Sequence, residues 1–266
     1  SFAGDALTEG NDNIALGHDA LSGDTKGSRS VAIGSNALKT QNFTSATNAN
    51  NTAVGNFAGE LVTTGTGNTF IGLSAGDACT DSVNNVAIGI NALGADAVGE
   101  NVAIGNSALA VCTASNNVAI GSNSGKAVTS GSQSVYIGNN AGDAVIGGAN
   151  NVAIGFNALS ALTAANGSIA IGQSAGILMT GTENVFIGNN VGAAATSLQQ
   201  SIIIGDNAAA GGTMTGSNCV VIGDNSGYSL TGGVANTTIV GPQAGGNMTS
   251  AANCLILGNN AGITGS

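Results

Sequence analysis

Val152-Ala153-Ile154-Gly155 is one copy of the pattern that decides the fold of this chain. A short apolar or β-branched triplet followed by glycine occurs fifteen times, and eight of the fourteen glycine spacings are 17 residues. A short period kept along the whole chain predicts stacked coils, an all-β parallel β-solenoid of about fifteen coils, and favours a scaffold over an enzyme. We call the repeated residues the corner glycines: Gly17, Gly34, Gly55, Gly72, Gly89, Gly105, Gly121, Gly138, Gly155, Gly172, Gly188, Gly205, Gly223, Gly241 and Gly258.

Each repeat is described by positions counted from its corner glycine, which is position zero. Position −1 is Ile in eleven copies, and position −3 is Val, Ile or Thr in fourteen. This two-residue spacing predicts a strand whose −3 and −1 side chains face the coil interior, with Ile104 and Ile154 almost fully buried. The glycine that follows predicts a corner, either with positive φ or with no space for a Cβ atom.

Position −2 is apolar as well. It is Ala in eight copies and a larger apolar or aromatic residue in seven. A strand with two apolar faces predicts that its second face is covered, most simply by another copy of the chain, although exposed Ala is an alternative. The predicted interface residues are Phe70, Tyr136, Phe186, Ile203, Val221, Ile239 and Ile256.

Polar residues also recur in phase. Asn occupies position −4 in eight copies and predicts amide ladders between stacked coils. Thr occupies position +8 in eleven copies, where it predicts a turn closed by side-chain hydrogen bonds. The four cysteines form two pairs of equivalent positions, each two coils apart. That separation is roughly 10 Å, too far for a disulfide, so we interpret them as small core or ladder residues, with pairing between chains as the alternative.

The composition excludes several classes of function. The chain has 266 residues, a net charge of −10 and only four Lys and Arg residues, which disfavours nucleic acid as a partner. No apolar run approaches the roughly twenty residues of a membrane helix, so no membrane contact by this segment is expected. With one histidine and no paired-cysteine motif, we predict no catalytic residue, no metal site and no cofactor.

Residues 1–266 are interpreted as a single repeat domain. Ser1-Phe2-Ala3-Gly4 is similar to Asn56-Phe57-Ala58-Gly59, which follows a corner glycine. The chain is therefore expected to begin inside a repeat, and also to end inside one, as a segment of a longer fibre.

Several copies resemble the head repeats of YadA-like trimeric autotransporter adhesins. They include Ser30-Val31-Ala32-Ile33-Gly34, residues 168–174, and the Asn-Val-Ala-Ile-Gly copies at 101–105, 117–121 and 151–155. Similar repeats occur in phage tail fibres and in trimeric fibres of predatory bacteria. The resemblance implies a left-handed parallel β-roll, a side-by-side homotrimer and an extracellular binding role. The coil here is longer than is usual in that family, and neither stalk heptads nor a membrane-anchoring barrel segment is present, which leaves bacterial adhesin and viral fibre open.

The leading hypothesis is an extracellular structural and adhesive trimeric fibre segment that displays multivalent binding surfaces to a host or target cell surface. Its ligand is unknown, and the candidate contact residues are those at position +1 and in the outer turns, especially Thr40 to Asn50. One alternative is a phage or virus tail-fibre shaft or host-recognition segment. Two others are an ice-binding β-solenoid that uses the Thr row at +8 and a polysaccharide-cleaving β-helix.

Overall fold

The fold is an all-β parallel β-solenoid of about 14 coils of about 17 residues. A computed structural model describes residues 2–164 and 166–262, and within these ranges the regular structure is strand and turn, with no helix that could span a membrane. The chain divides into two compact units, Ser1–Gln133 and Ser134–Ser266, and each is described separately below. The single domain over residues 1–266 stays a prediction.

The first unit contains nine strands. Seven of them belong to its main parallel sheet: β1 (Ile14–Leu16), β3 (Val31–Ile33), β5 (Thr52–Val54), β6 (Thr69–Ile71), β7 (Val86–Ile88), β8 (Val102–Ile104) and β9 (Val118–Ile120). Two short strands pair with each other at the outer turns, β2 (Gly27–Ser28) and β4 (Thr47–Asn48). Neighbouring strands of the main sheet pair equal repeat positions, such as Ala87 with Ala103.

The second unit contains eleven strands. Its main sheet comprises β10 (Val135–Ile137), β11 (Val152–Ile154), β12 (Ile169–Ile171), β13 (Val185–Ile187), β15 (Ile202–Ile204), β17 (Val220–Ile222), β19 (Thr238–Val240) and β20 (Leu255–Leu257). A second parallel sheet is formed by β14 (Ser197–Gln199), β16 (Met214–Ser217) and β18 (Gly232–Gly233). The register is the same as in the first unit, with Phe186 paired to Ile203.

Four backbone positions per coil have positive φ, and they give the coil its bends. Position −5 and position +2 are mostly Asn or another short polar residue, as in Asn84 (φ 57°) and Asn91 (φ 53°). Position +4 is glycine or leucine in every coil except one, where it is Ala209, and Leu93 has φ 52°. Asn and Gly adopt this region at low cost, whereas Leu is strained there, so the leucines indicate that the interior needs their volume.

The corner glycines have the most restrictive geometry of the four. Gly105 has φ 135° and Gly155 has φ 134°. A Cβ atom on Gly105 would meet the carbonyl group of Gly121 in the next coil, 2.6 Å from its carbon. Any side chain at this position would therefore collide with backbone as well as strain φ.

The structure reverses the assigned faces of the strand. Position −2 lies inside the coil, and the −3 and −1 side chains point outward, so Ile104 and Ile154 are only half-buried. The prediction that they are almost fully buried is therefore wrong. The predicted interface set is wrong for the same reason: Phe70, Tyr136, Phe186, Ile203, Val221 and Ile239 are 0% exposed within one chain, and Ile256 in the last strand is half-buried. Side chains that are already enclosed by their own coil cannot lose exposure to a partner.

The side chains at positions −2 and +4 are complementary in volume inside the coil. Where position −2 is aromatic, the leucine of position +4 is replaced by glycine: a Cβ atom on Gly76 or on Gly59 would collide with the Phe70 ring. Where position −2 is Ala, as in Ala87, position +4 can be Leu, as in Leu93, and both are fully buried. Large and small side chains alternate in this way because the interior is close-packed.

The ladder at position −4 is present and lies inside the coil. Each asparagine accepts a hydrogen bond from the backbone N–H of the next coil, as in Asn68 N to Asn51 Oδ1 at 2.9 Å and Asn101 N to Asn85 Oδ1 at 2.9 Å. Its amide group can also donate across the coil, as Asn68 does to the Ser82 carbonyl at 2.7 Å. The ladder thus satisfies backbone groups that would otherwise be buried without partners.

All four thiols are free: Cys79, Cys112 and Cys219 are buried, and Cys254 is half-buried. Burial raises the pKa of the Cys79 thiol to about 11, and it also raises the pKa of Cys112 and Cys219. The thiolate is the reactive form, so these three thiols should be inert in the folded chain.

We expect iodoacetamide at pH 8 to alkylate Cys254 in the native protein, and the other three cysteines only after unfolding. In the unfolded chain the Cys79 thiol ionises near its ordinary pKa of 9.0, whereas burial raises its pKa to about 11 in the folded chain. The free energy of unfolding should therefore fall as the pH rises from about 9 to 11. Mass spectrometry of labelled peptides, with denatured protein as the control, measures the first effect. Native labelling of Cys79 as fast as that of Cys254 would contradict it.

Candidate interaction surface

Two rows of apolar side chains cover the outer face of the main sheet in the first unit. The −3 row runs from Ile14 to Val118 and the −1 row from Leu16 to Ile120, and none of their side chains is buried. Ile71 is 38% exposed and Ile120 is 37% exposed even though strands cover them above and below. Thr52 and Thr69 are the polar residues in these rows, and they are β-branched like the Val and Ile residues beside them.

The second unit presents the same two rows. Ile171 and Ile187 are each 37% exposed and Ile202 is 39% exposed. The face carries no charged residue, since every −3 and −1 position is Val, Ile, Leu or Thr. We call these two rows the outer face. An array of Val, Ile, Leu and Thr side chains of this kind can pack against another apolar surface, and it carries no ionisable group for acid–base chemistry.

The alternation in the sequence predicts positions −3 and −1 in the coil interior and position −2 at the interface, so it does not identify the outer face. One feature of the sequence distinguishes the two assignments. Gly at +4 accompanies each of Phe70, Tyr136 and Phe186, which indicates that these rings occupy the space that a leucine fills elsewhere. The pairing therefore places position −2 inside the coil.

The insertion from Thr40 to Asn50 folds partly back into the coil. Gln41 is buried and donates to Asp24 at 2.6 Å, while Asn51 donates to Gln41 at 2.9 Å. The Phe43 side chain is 5% exposed, and the exposed residues of this predicted contact region are 42, 44–46, 48 and 50. The buried amide and carboxylate replace the apolar side chains found at +7 in most other coils.

The threonine row at +8 is committed to bonds between coils. Thr113 Oγ1 donates to the Thr129 carbonyl at 3.0 Å, and Thr231 Oγ1 donates to the Thr249 carbonyl at 2.8 Å. These bonds tie their turns to the next coil, as the turn-closing interpretation expects.

No group of three or more His, Cys, Asp or Glu side chains lies close enough to hold a metal ion among residues 2–164 and 166–262. The single histidine, His18, is at position +1 with Nδ1 3.5 Å from Asp19 Oδ2, and its side chain is 68% exposed. It lies at the surface beside one carboxylate.

The fold is consistent with a β-roll repeat. No protein-family model matches the chain, and comparison with curated proteins and with solved structures found no similar protein. The resemblance to trimeric adhesin heads therefore rests on the repeat residues themselves.

Proposed function

We propose that this chain is an extracellular structural and adhesive fibre segment that assembles as a homotrimer through its outer face. The observation that carries the proposal is the pair of exposed apolar rows at −3 and −1, which each unit presents without a charged residue. Water-exposed rows of Ile and Val are unfavourable by about 25 cal/mol per Å² of apolar area, so covering them drives association.

The symmetry of the proposed assembly follows from the repeat. Each position of the outer face recurs in every coil, so parallel chains in register would bring equal positions together along the whole interface. Three chains around a threefold axis is the arrangement that the resemblance implies. The interface proposed from the sequence is thereby kept, with the −3 and −1 rows in place of position −2.

Adhesion in this proposal comes from multivalent display. Three chains would present three copies of every exposed turn, and weak contacts would combine through a raised effective concentration. A bacterial adhesin and a phage tail fibre share this mechanism, and both are outside the cell. The proposal includes no enzymatic activity.

Substituting Ile104 by Lys should dissociate the trimer. Its side chain lies on the outer face, so three lysines would meet near the axis and leave buried charges without partners. Val111→Lys is the matched control, because Val111 is 44% exposed at position +6, away from the sheet. Sedimentation equilibrium should show a trimer for the wild type and the control, and a shift of at least tenfold in the dissociation constant for Ile104→Lys.

Circular dichroism should show that both variants keep their strands, since neither position is in the coil interior. A wild-type chain that sediments as a monomer at micromolar concentration would overturn the assembly. A stable dimer would retain the outer face as the interface and reject the threefold arrangement.

A further inference from the structure

An open groove of about 240 Å³ lies at the turns of two adjacent coils in the second unit. It is lined by Asn225, Tyr228, Gln243, Gly246 and Asn247, which occupy positions +2, +5 and +6 of their repeats. These positions follow the corner glycine, so the groove is built on the turns that leave the main sheet rather than on its outer face. Three amides and one aromatic ring thus converge on a single concave site.

One glycine makes room for the aromatic ring. Tyr228 lies against Gly211 of the preceding coil, where a Cβ atom would collide with the ring and come within 2.7 Å of Cζ. Gly246 occupies the equivalent +5 position in the following coil and lines the groove instead of filling it. Tyr228 is 44% exposed, so a large part of its ring is available at the groove wall.

The amides are held by the backbone. Asn225 and Gln243 are both at position +2 with φ of 51° and 58°. Their backbone N–H groups donate to the backbone carbonyls of Asp206 and Asp224 in the preceding coils at 2.9 and 2.7 Å. In another coil pair the two +2 amides bond to each other, as Asn140 does to Asn157 at 3.2 Å. Asn225 Nδ2 instead donates to Asp224 Oδ1 at 3.0 Å, so this pair has no such bond between its +2 amides.

The charge around the groove selects against anions. The second unit contains no Lys, Arg or His, and its four acidic residues include Asp206 and Asp224 beside the groove. A ligand with a carboxylate, sulfate or phosphate would meet repulsion and no cation.

We propose that this groove binds a neutral saccharide unit. A sugar ring has an apolar C–H face that packs on an aromatic ring, and a rim of hydroxyls that both donate to and accept from amides. An aromatic wall with a few convergent polar groups is the usual construction of a small-ligand site. The inference deepens the proposed adhesive function by naming a ligand class, and it rests on that function only for its biological role.

Saturation-transfer NMR on the full chain can test the site, with N-acetylglucosamine and galactose as neutral probes and glucuronic acid as the anionic probe. The chain has two tyrosines and no tryptophan, and Tyr136 is buried. Tyr228 is therefore the tyrosine whose ring a bound sugar can contact. We expect binding of at least one neutral probe and at least tenfold weaker binding of glucuronic acid.

Tyr228→Ala should reduce neutral-sugar binding at least tenfold, and Tyr228→Phe should retain it within about threefold because the ring remains. Phe156→Ala is the matched control, since Phe156 is 49% exposed on a different coil, and it should leave binding unchanged. Failure of both neutral probes to bind, or a Tyr228→Ala variant that binds as well as the wild type, would overturn the inference.

Sedimentation of the same variants separates the two proposals. A trimer that binds neither sugar rejects the saccharide site and leaves the fibre intact. A monomer that binds sugar through Tyr228 rejects the trimer and leaves the site.

Discussion

Gly105→Val is expected to disrupt the coil in which it lies and to lower the free energy of unfolding by more than about 4 kcal/mol. Two effects add at this position. A β-branched residue strongly resists a φ of 135°, and its Cβ atom would lie 2.6 Å from the Gly121 carbonyl carbon. Since neighbouring strands are hydrogen-bonded at this corner, the next coil has to move as well.

Hydrogen exchange followed by mass spectrometry measures this effect locally, and urea unfolding measures it globally. Faster exchange should centre on residues 102–121. Gly233→Val is the matched control, because no atom lies within 4 Å of the Cβ position at Gly233, and it should change stability by less than about 0.5 kcal/mol. Equal stability of Gly105→Val and the wild type would reject the steric account of the corner.

The repeat itself was sufficient to predict the stack of coils. The strands of the main sheet end immediately before the corner glycine because the apolar triplet and the glycine recur in phase. Parallel pairing of equal positions follows from the period. The Asn ladder at −4 could be predicted in the same way, since an amide at a fixed height of every coil meets its equivalent at ~4.8 Å.

Hydrophobic alternation alone could not predict which face of the strand points into the coil. A triplet such as Val102-Ala103-Ile104 is apolar at all three positions, so hydrophobicity does not distinguish the inner face from the outer one. The two-residue spacing of β-branched residues suggested that Ile faces inward. In the structure Ala at −2 lies inside instead, and in coils such as that of Ala87 and Leu93 it fills the interior together with Leu at +4.

The Tyr228 groove could not be predicted either, for a different reason. Its residues come from two repeats, and their positions are variable from coil to coil: +5 is Tyr in one coil and Gly in the next. The ring lies against Gly211, and Gly246 lines the groove, but the sequence does not distinguish either glycine from an ordinary turn glycine.

Phe70→Ala is expected to cost about 3–5 kcal/mol, since it removes a fully buried ring and leaves a cavity. Gly59 and Gly76, which lie against the ring, have no side chain to move into that cavity. Gly76→Leu alone should also destabilise the coil, because its Cβ atom would collide with the Phe70 ring.

The double variant Phe70→Ala with Gly76→Leu should recover at least half of the lost stability. It recreates the combination that the chain uses at Ala87 and Leu93, where Leu93 tolerates a φ of 52° and is fully buried. A double-mutant cycle by urea unfolding should give a favourable coupling of at least about 1.5 kcal/mol. Independent effects of the two changes would mean that the ring and position +4 do not share one interior volume. Since position −2 would couple to +4 in this way only from inside the coil, the same cycle tests which face of the strand is left for the trimer.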